Sequence, residues 1–314
     1  MPTELLSVVV PVYNEVESVG ELHRRLSSVM TGLGAHELIV VDDGSSDGTW
    51  EALLGLAKGD PHLRLIRLSR NFGHQLALSA GLEAARGDAV VSIDADLQDP
   101  PELIPELVAR WREGYDVVYA VRERREGESR FKLATAAIFY KGINRLSATA
   151  IPEQAGDFRL LSRRALDALL SMPERSRFLR GMSTWIGFRQ VGVPYTRDAR
   201  YAGQTKYPIR KMARLATDAV TSFSTAPIRM VFTLGLVAVA FCLVALAWTL
   251  YLRLFTDRTI QGWTSVLVVV LFLGGVQLLS VGIIGQYVGR IFDEVKGRPL
   301  YLVVETVEPE SSEQ

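Results

Sequence analysis

The sequence predicts an α/β domain with a mixed, mostly parallel sheet, followed by amphipathic interface helices and a two-helix transmembrane hairpin. Three observations carry this. Short β-branched runs alternate with helical apolar spacing through residues 6–121. The residues that bear chemistry stand where those runs end, at Pro11-Val12-Tyr13-Asn14-Glu15, Asp42-Asp43, Asp94-Ala95-Asp96 and Arg122. Two uncharged segments of membrane length lie near the C-terminus.

The first run, 6–11, is apolar and ends at a proline. Residues 16–31 then place Val19, Leu22, Leu26 and Val29 at helical spacing. Strand 37–41 leads into Asp42-Asp43-Gly44, and Asp47 opens a helix containing Trp50, Leu53, Leu54 and Ala57. Residues 63–68 form a third strand, 75–85 a small-residue helix stopped by Gly87, and 89–94 a fourth strand. A proline opens the helix 101–113, and 116–121 is a fifth strand. Alternation of this kind means βαβ units, with ligands beyond the carboxyl ends of the strands. No Gly-x-Gly-x-x-Gly follows the first strand and no Walker-type Gly-Lys-Ser/Thr occurs, which disfavours dinucleotide and P-loop binding.

Charge is unevenly placed along the 314 residues, although the formal net charge is zero. Residues 1–121 carry a net −10 and residues 122–214 a net +12, a basic block suited to phosphates on a ligand or a membrane. The single cysteine, Cys242, excludes an internal disulfide and a cysteine zinc site. Residues 131–146 and 208–226 interleave apolar and basic positions, as amphipathic interface helices do.

Residues 230–252 are uncharged and span about 34 Å as a helix. Residues 259–289 are also uncharged, giving a second span at about 264–286. Gly274, Gly275, Gly282 and Gly285 in it suit close helix packing and a homo-oligomer. Basic residues flank the outer ends of the pair, so the positive-inside rule puts both termini and the catalytic part in the cytoplasm. The expected division is a catalytic domain 1–207, an interface helix 208–226, the spans within 227–289 and a cytoplasmic tail 290–314. After Pro299 the tail is acidic and serine-bearing and is expected to be partly disordered.

Asp94 and Asp96 are expected to project to one side of an extended segment, an arrangement of oxygen donors that suits Mg2+ or Mn2+ with phosphates. Asp-x-Asp alone is a weak signal. Here Pro-Val-Tyr-Asn-Glu, Asp-Asp-Gly-Ser-Ser-Asp and Asp-Ala-Asp follow one another at successive strand ends. His74 reads as a packed or solvated histidine, with no metal cluster near it in the sequence.

With these motifs the chain resembles glycosyltransferase family 2, of GT-A (Rossmann-like) fold, and within it the polyprenyl-phosphate glycosyltransferases. The resemblance extends to Ser69-Arg70-Asn71-Phe72-Gly73, Ala80-Gly81-Leu82 and the run 94–101. It implies that Pro11, Tyr13 and Glu15 border a nucleoside and that Asp43 holds the base or ribose. Asp94, Asp96 and Gln98 would hold the metal, with Ala95 between them, and Arg122, Arg200 and Lys206 the donor phosphates. Asp157, in Gln154-Ala155-Gly156-Asp157-Phe158-Arg159-Leu160, is the position of the proposed catalytic base. A phosphate monoester is already largely ionised near neutral pH, so Asp157 has as much reason to orient a basic neighbour as to take a proton. The implied partners are a nucleotide sugar, a polyprenyl phosphate and the cytoplasmic membrane of the cell envelope, with no nucleic acid. The implied reaction is inverting transfer of a hexose, with UDP-glucose the favoured donor. A GDP-mannose or aminosugar donor, a polysaccharide synthase and a non-catalytic nucleotide-binding membrane protein remain as alternatives. The synthase is disfavoured because Gln-x-x-Arg-Trp is absent and two spans leave little room for a polymer path.

Overall fold

The computed structural model describes residues 4–122, 155–196, 226–255 and 262–309. Five strands and four helices alternate first: β1 (Leu6–Val12), α1 (Val19–Thr31), β2 (His36–Asp42), α2 (Thr49–Ala57), β3 (Leu63–Leu68), α3 (His74–Ala84), β4 (Ala89–Ser92), α4 (Ile104–Arg112) and β5 (Val117–Arg122). They are followed by β6 (Ala155–Ser162), α5 (Arg163–Leu170), α6 (Leu179–Trp185), β7 (Gln190–Tyr195), α7 (Ala226–Phe255), α8 (Trp263–Val295) and β8 (Val303–Val307). The expected amphipathic segment 131–146, and 208–226 up to residue 225, lie outside the described residues, as do Arg200 and Lys206.

The sheet order is β7-β5-β6-β4-β1-β2-β3-β8. Strands β1 to β4 run parallel, β6 is inserted antiparallel between β4 and β5, and β7 pairs parallel with β5. Alternate side chains of β1 and β2 go to opposite faces, as the strand period requires. Val8, Val10, Leu38 and Val40 join Leu22, Leu26, Trp50 and Leu107 in one core layer. Val9, Ile39 and Val41 join Ala77, Leu78, Leu166 and Met182 in the other. Helices on both faces therefore bury both sides of the sheet, each fully buried leucine contributing about 1.5–3 kcal/mol.

Gly81 lets α3 lie close to this sheet, because a Cβ there would stand 2.2 Å from Val9 Cγ1 and 3.0 Å from Val41 Cγ2. The N-terminus of α3, carrying His74 and Gln75, stands at the strand tips as a result. Ser162 caps α5, its hydroxyl accepting from Ala165 N at 3.3 Å.

Two expectations need correction. The tail after Pro299 is ordered through Val307: β8 pairs antiparallel with β3, Ser69 N donates to Leu302 O at 2.9 Å, and the Tyr301 hydroxyl donates to Glu83. Its valines supply β-propensity that the acidic composition masks, and an edge strand tolerates exposed acids. The Asp94–Asp96 run is also not extended, since β4 stops at Ser92 and the chain turns, with Leu97 at φ 56°.

Residues 210–297 form a separate compact unit containing α7 and α8. Both expected spans lie within these helices. Among the described residues, Phe272–Val295 is long and apolar enough to cross a membrane by length and composition, with mean hydropathy 1.4 and none of it buried. It runs nearer the C-terminus than expected because α8 continues unbroken to Val295. The apolar stretch of α7 that meets the composition test, Met230–Ala245, is shorter than a span.

Candidate active site

The loops after β1 and β2 are tied to each other. Asn14, at φ 53°, donates its backbone N–H to Ser45 Oγ and accepts from Ser46 N, each at 2.9 Å. Glu15 N donates to Thr49 Oγ1 at 2.9 Å, and the Glu15 carboxylate accepts from Ser18 Oγ at 2.7 Å. Pro11 lies one residue before the end of β1, and the Tyr13 ring just beyond the strand is exposed. Asp43 is buried, and its two oxygens accept from Phe72 N at 2.7 Å and Gly73 N at 2.9 Å. Burial pushes its carboxyl pKa up despite these two amides. Asp43 thus ties the end of β2 to the chain entering α3. Gly44 allows the close approach: it sits at φ 72°, and a Cβ there would lie 2.6 Å from the Arg70 carbonyl carbon.

The acidic turn follows β4. Ala95 and Leu97 are buried and anchor it, while Asp94, Asp96 and Gln98 are partly exposed. Gln98 N donates to Asp96 Oδ1 at 3.2 Å, which closes the turn. Asp94 Oδ1 stands 3.4 Å from His74 Nε2, within ion-pair range but without hydrogen-bond geometry. Burial, then repulsion from Asp157, Asp99 and Asp96, pushes Asp94 up to about 6, with His74 opposing.

Asp157 lies on β6 beside β4, where Ser92 Oγ donates to its carbonyl at 2.5 Å. Its buried carboxylate accepts from Arg180 Nε at 2.9 Å on one oxygen. The other oxygen accepts from Arg180 Nη2 at 3.0 Å and Gln75 Nε2 at 3.1 Å, and lies 3.3 Å from His74 Nε2. Burial would raise this carboxyl, but the His74 hydrogen bond and the Arg180 charge outweigh it and hold Asp157 well below the usual carboxylate range. His74 keeps 43% of its side chain accessible. Enclosure lowers its proton affinity, but the Asp157 hydrogen bond and the two carboxylates outweigh that and raise it.

Arg122 ends β5 against this cluster. Its Nε donates to the Tyr195 hydroxyl at 3.2 Å, and its Nη2 lies 3.8 Å from the buried Asp99. A Cβ on Gly156 would stand 2.9 Å from that guanidinium, so the residue preceding Asp157 leaves room for it.

The structure therefore brings Asp94, Asp157 and Arg122 to one region and adds His74, Gln75, Arg180, Asp99 and Tyr195. His74 is not merely packed or solvated as expected, because its ring stands between two carboxylates, Asp94 in the turn after β4 and Asp157 on β6. The glycine before His74, opening α3, was the only local signal for it. Arg180 and Tyr195 sit on elements with no motif to mark them.

His74, Asp94 and Asp157 offer ligand atoms within 4.8 Å of one another. Asp157 is a poor ligand, because a cation on it would face the Arg180 guanidinium. Asp94 fits a hard divalent cation: one oxygen is buried without a hydrogen-bond partner, and carboxylates crowd around it.

A crowded acidic turn facing clustered arginines, at the carboxyl ends of a mixed α/β sheet, marks an enzyme that handles phosphorylated substrates. The chain belongs to glycosyl transferase family 2, whose profile matches residues 7–170, and it is a glycosyltransferase. The glycosyltransferase YkcC of Bacillus subtilis (strain 168) is 47% identical over 298 residues, covering 95% of this chain and 92% of that one. The SfII prophage-derived bactoprenol glucosyl transferase of Shigella flexneri is 41% identical over 300 residues, covering 95% of this chain and 97% of that one. A solved structure of glucosyl-3-phosphoglycerate synthase from Mycobacterium tuberculosis, with Mn2+, UDP-glucose and phosphoglyceric acid, matches at 20% identity and TM-score 0.47. It covers 69% of this chain and 77% of that one, and at this level of likeness nothing about ligands carries over.

Proposed function

We propose that this enzyme transfers glucose from UDP-glucose to undecaprenyl phosphate, with inversion, at the cytoplasmic face of a membrane. The observation that carries the reading is the meeting of two unlike charge environments. Asp94, in a turn short of positive charge, lies 3.4 Å from a histidine that also contacts the Arg180-bound Asp157. One side suits a metal-associated diphosphate and the other an anionic acceptor. Relatives named as bactoprenol glucosyl transferases, aligned over 95% of the chain, support glucose and the lipid acceptor.

In this reading a phosphate oxygen of the lipid attacks the anomeric carbon from the face opposite UDP. The new carbon–oxygen bond forms as the bond to the diphosphate breaks. Pro11, Tyr13 and Glu15 border the nucleoside, and Asp43 shapes the same loop cluster from below. Asp94, Asp96 and Gln98 are the residues that would hold Mg2+ or Mn2+. Such a cation, when bound, supplies positive charge for the diphosphate leaving group. Arg122, with Arg200 and Lys206, neutralises donor phosphates. Asp157 fixes its cationic neighbours around the acceptor. Segments 230–252 and 264–286 serve as a membrane hairpin with both termini cytoplasmic, and their small residues suit self-association.

The test is incubation of membranes containing the full chain with labelled UDP-glucose, GDP-mannose and aminosugar nucleotides, with and without undecaprenyl phosphate and EDTA, followed by lipid extraction. The expected result is EDTA-sensitive label from UDP-glucose in an acid-labile lipid. Label from another donor alone replaces the sugar assignment, and label that does not depend on the added lipid rejects the acceptor.

A further inference from the structure

Asp157 has the geometry of an anchor. A general base must turn a lone pair toward the proton it takes, at about 2.6–3.2 Å. Both Asp157 oxygens are instead engaged by fixed donors: Arg180 Nε at 2.9 Å on one, Arg180 Nη2 at 3.0 Å and Gln75 Nε2 at 3.1 Å on the other. The carboxylate is 4% exposed. The reaction proposed above also asks for no strong base, since the second pKa of a phosphate monoester is about 6.

What the anchor holds is Arg180. The Asp157 carboxylate grips its guanidinium in the bidentate fork that fixes its plane. The Arg180 carbonyl accepts from Ser183 Oγ at 3.1 Å and Thr184 Oγ1 at 2.9 Å. Leu179 N, one residue earlier, donates to Gln75 Oε1 at 3.1 Å, so the residue that supports Asp157 also supports the start of α6. Arg180 nevertheless keeps 30% of its side chain exposed. A guanidinium whose plane is fixed by Asp157, on a backbone held at its carbonyl, and which still reaches solvent is pre-organised for a ligand.

The surrounding charge says which ligand. Arg159 lies buried behind Asp157, donating to the Gly156 carbonyl at 2.7 Å and to Ser183 Oγ. The Arg122 guanidinium lies against Gly156, the residue before Asp157. Arg180 and Arg159 thus share the carboxylate of Asp157, while Arg122 pairs with Asp99. Two guanidiniums that share one carboxylate favour a further anion beside the exposed one, Arg180. A planar guanidinium with a fixed edge matches the oxygens of a phosphate monoester.

The geometry points to Arg180 as the residue that receives the acceptor's phosphate monoester, with Asp157 as its positioning residue. This rests on the polyprenyl-phosphate reading and adds a residue to it.

The test uses the full chain in detergent–lipid micelles and the variants Arg180→Gln, Arg180→Lys and Asp157→Asn. Binding of undecaprenyl phosphate, undecaprenol and inorganic phosphate is measured by titration, binding of UDP-glucose with Mn2+ separately, and transfer kinetics across pH. Arg180→Gln is expected to weaken undecaprenyl phosphate binding and raise its KM by about tenfold or more, the loss of one charge-assisted contact. Undecaprenol binding and UDP-glucose affinity should stay within about twofold, and Arg180→Lys should recover part of the loss. Asp157→Asn should raise the same lipid KM and leave the shape of the pH profile unchanged. Retained UDP-glucose binding reports that each variant is folded, and Arg180→Lys gives the answer if Arg180→Gln fails that check. Unchanged lipid binding in both Arg180 variants overturns the assignment, as does an equal loss of UDP-glucose affinity. Asp157→Asn with an unchanged lipid KM and a pH profile that has lost its acidic limb restores Asp157 as the base. Wild-type protein that binds undecaprenyl phosphate through Arg180 but transfers no sugar to it refutes the proposed reaction and leaves the Arg180 assignment standing.

Discussion

Tyr195 donates its hydroxyl to Asp99, a carboxylate with no exposed surface. The same hydroxyl accepts from Arg122 Nε at 3.2 Å. Burial and the Asp99 hydrogen bond push the tyrosine pKa up to about 12, so it remains a donor across the working range. Asp99 belongs to the acidic turn after β4, and Tyr195 ends β7. The pair therefore links that turn to the arginine at the end of β5.

Tyr195→Phe should cost about 1–2 kcal/mol of stability, because a buried carboxylate loses a donor. It should also raise the KM for the phosphorylated donor more than it lowers kcat, since Arg122 keeps its charge and loses its aim. Thermal unfolding and donor-concentration kinetics check this. Unfolding and KM both equal to wild type would show that the hydroxyl positions nothing.

Asp96→Ala should reduce metal-dependent transfer by at least about 100-fold, the scale of removing one electrostatic stabiliser at a leaving group. The fold should lose about 1 kcal/mol or less, because the side chain is partly exposed and its acceptance from Gln98 N at 3.2 Å lies at the surface of the turn. Transfer assays across a Mn2+ titration, paired with melting curves, separate the two effects. Near-normal rates at every Mn2+ concentration would remove Asp96 from the metal assignment.

The strands up to Arg122 were legible in the sequence because each is a largely apolar run bounded by turn residues, and their observed ends differ from the reading by at most two residues. Strand β6 was not legible as a strand. Nothing in Ala-Gly-Asp-Phe-Arg-Leu-Leu-Ser says that it inserts antiparallel between β4 and β5, since that choice depends on partners far along the chain. The site divides in the same way. The Asp94 turn and Asp157 stand in motifs, whereas Gln75 and Asp157 are 82 residues apart and Arg180 meets Asp157 only through the packing of α6 on β6. Side chains that act through tertiary contact leave no spacing to read.

Gly81→Ala should destabilise the protein by about 1–3 kcal/mol, the range for overpacking a tight core. The added methyl would meet Val9 Cγ1 at 2.2 Å and Val41 Cγ2 at 3.0 Å. Relief of that clash moves α3 off the sheet and draws His74 and Gln75 away from Asp157, so activity should fall as well. The double variant Val9→Ala, Gly81→Ala should recover part of the stability, a coupling that a double-mutant cycle measures directly. Strict additivity would mean that the two positions do not touch.

Asp116 anchors the start of β5: Arg164 grips its carboxylate through two nitrogens, and Ser162 Oγ donates to it at 2.9 Å. The Arg164 hydrogen bond, against a smaller opposing effect of burial, holds its pKa below the ordinary carboxylate value. A group whose folded pKa is depressed adds stability above its unfolded pKa of about 4 and loses it as pH falls through the folded value. Asp116→Asn should therefore cost about 1–2 kcal/mol near neutral pH. The gap to wild type should close on acidification below about pH 4. Urea unfolding at a series of pH values checks the sign, and a gap that widens in acid would contradict it.

Strand β8 makes the C-terminal tail part of the catalytic sheet. Thr306 pairs with Ile66 and Glu305 with Arg67, and Arg64 holds Glu308 at 2.7 Å. A chain ended before Val303 would leave the β3 edge open, with its backbone groups ready to pair with another molecule. Such a truncation should lower the unfolding temperature and promote association while leaving the Asp94 turn intact, because β3 lies three strands from β4 in the sheet. UDP-glucose binding should therefore persist in freshly prepared protein and decay as aggregates form. Light scattering alongside nucleotide titration follows both. A truncated chain as stable and as soluble as the full one would mean that β8 pairs without contributing, and its docking would then carry no structural weight.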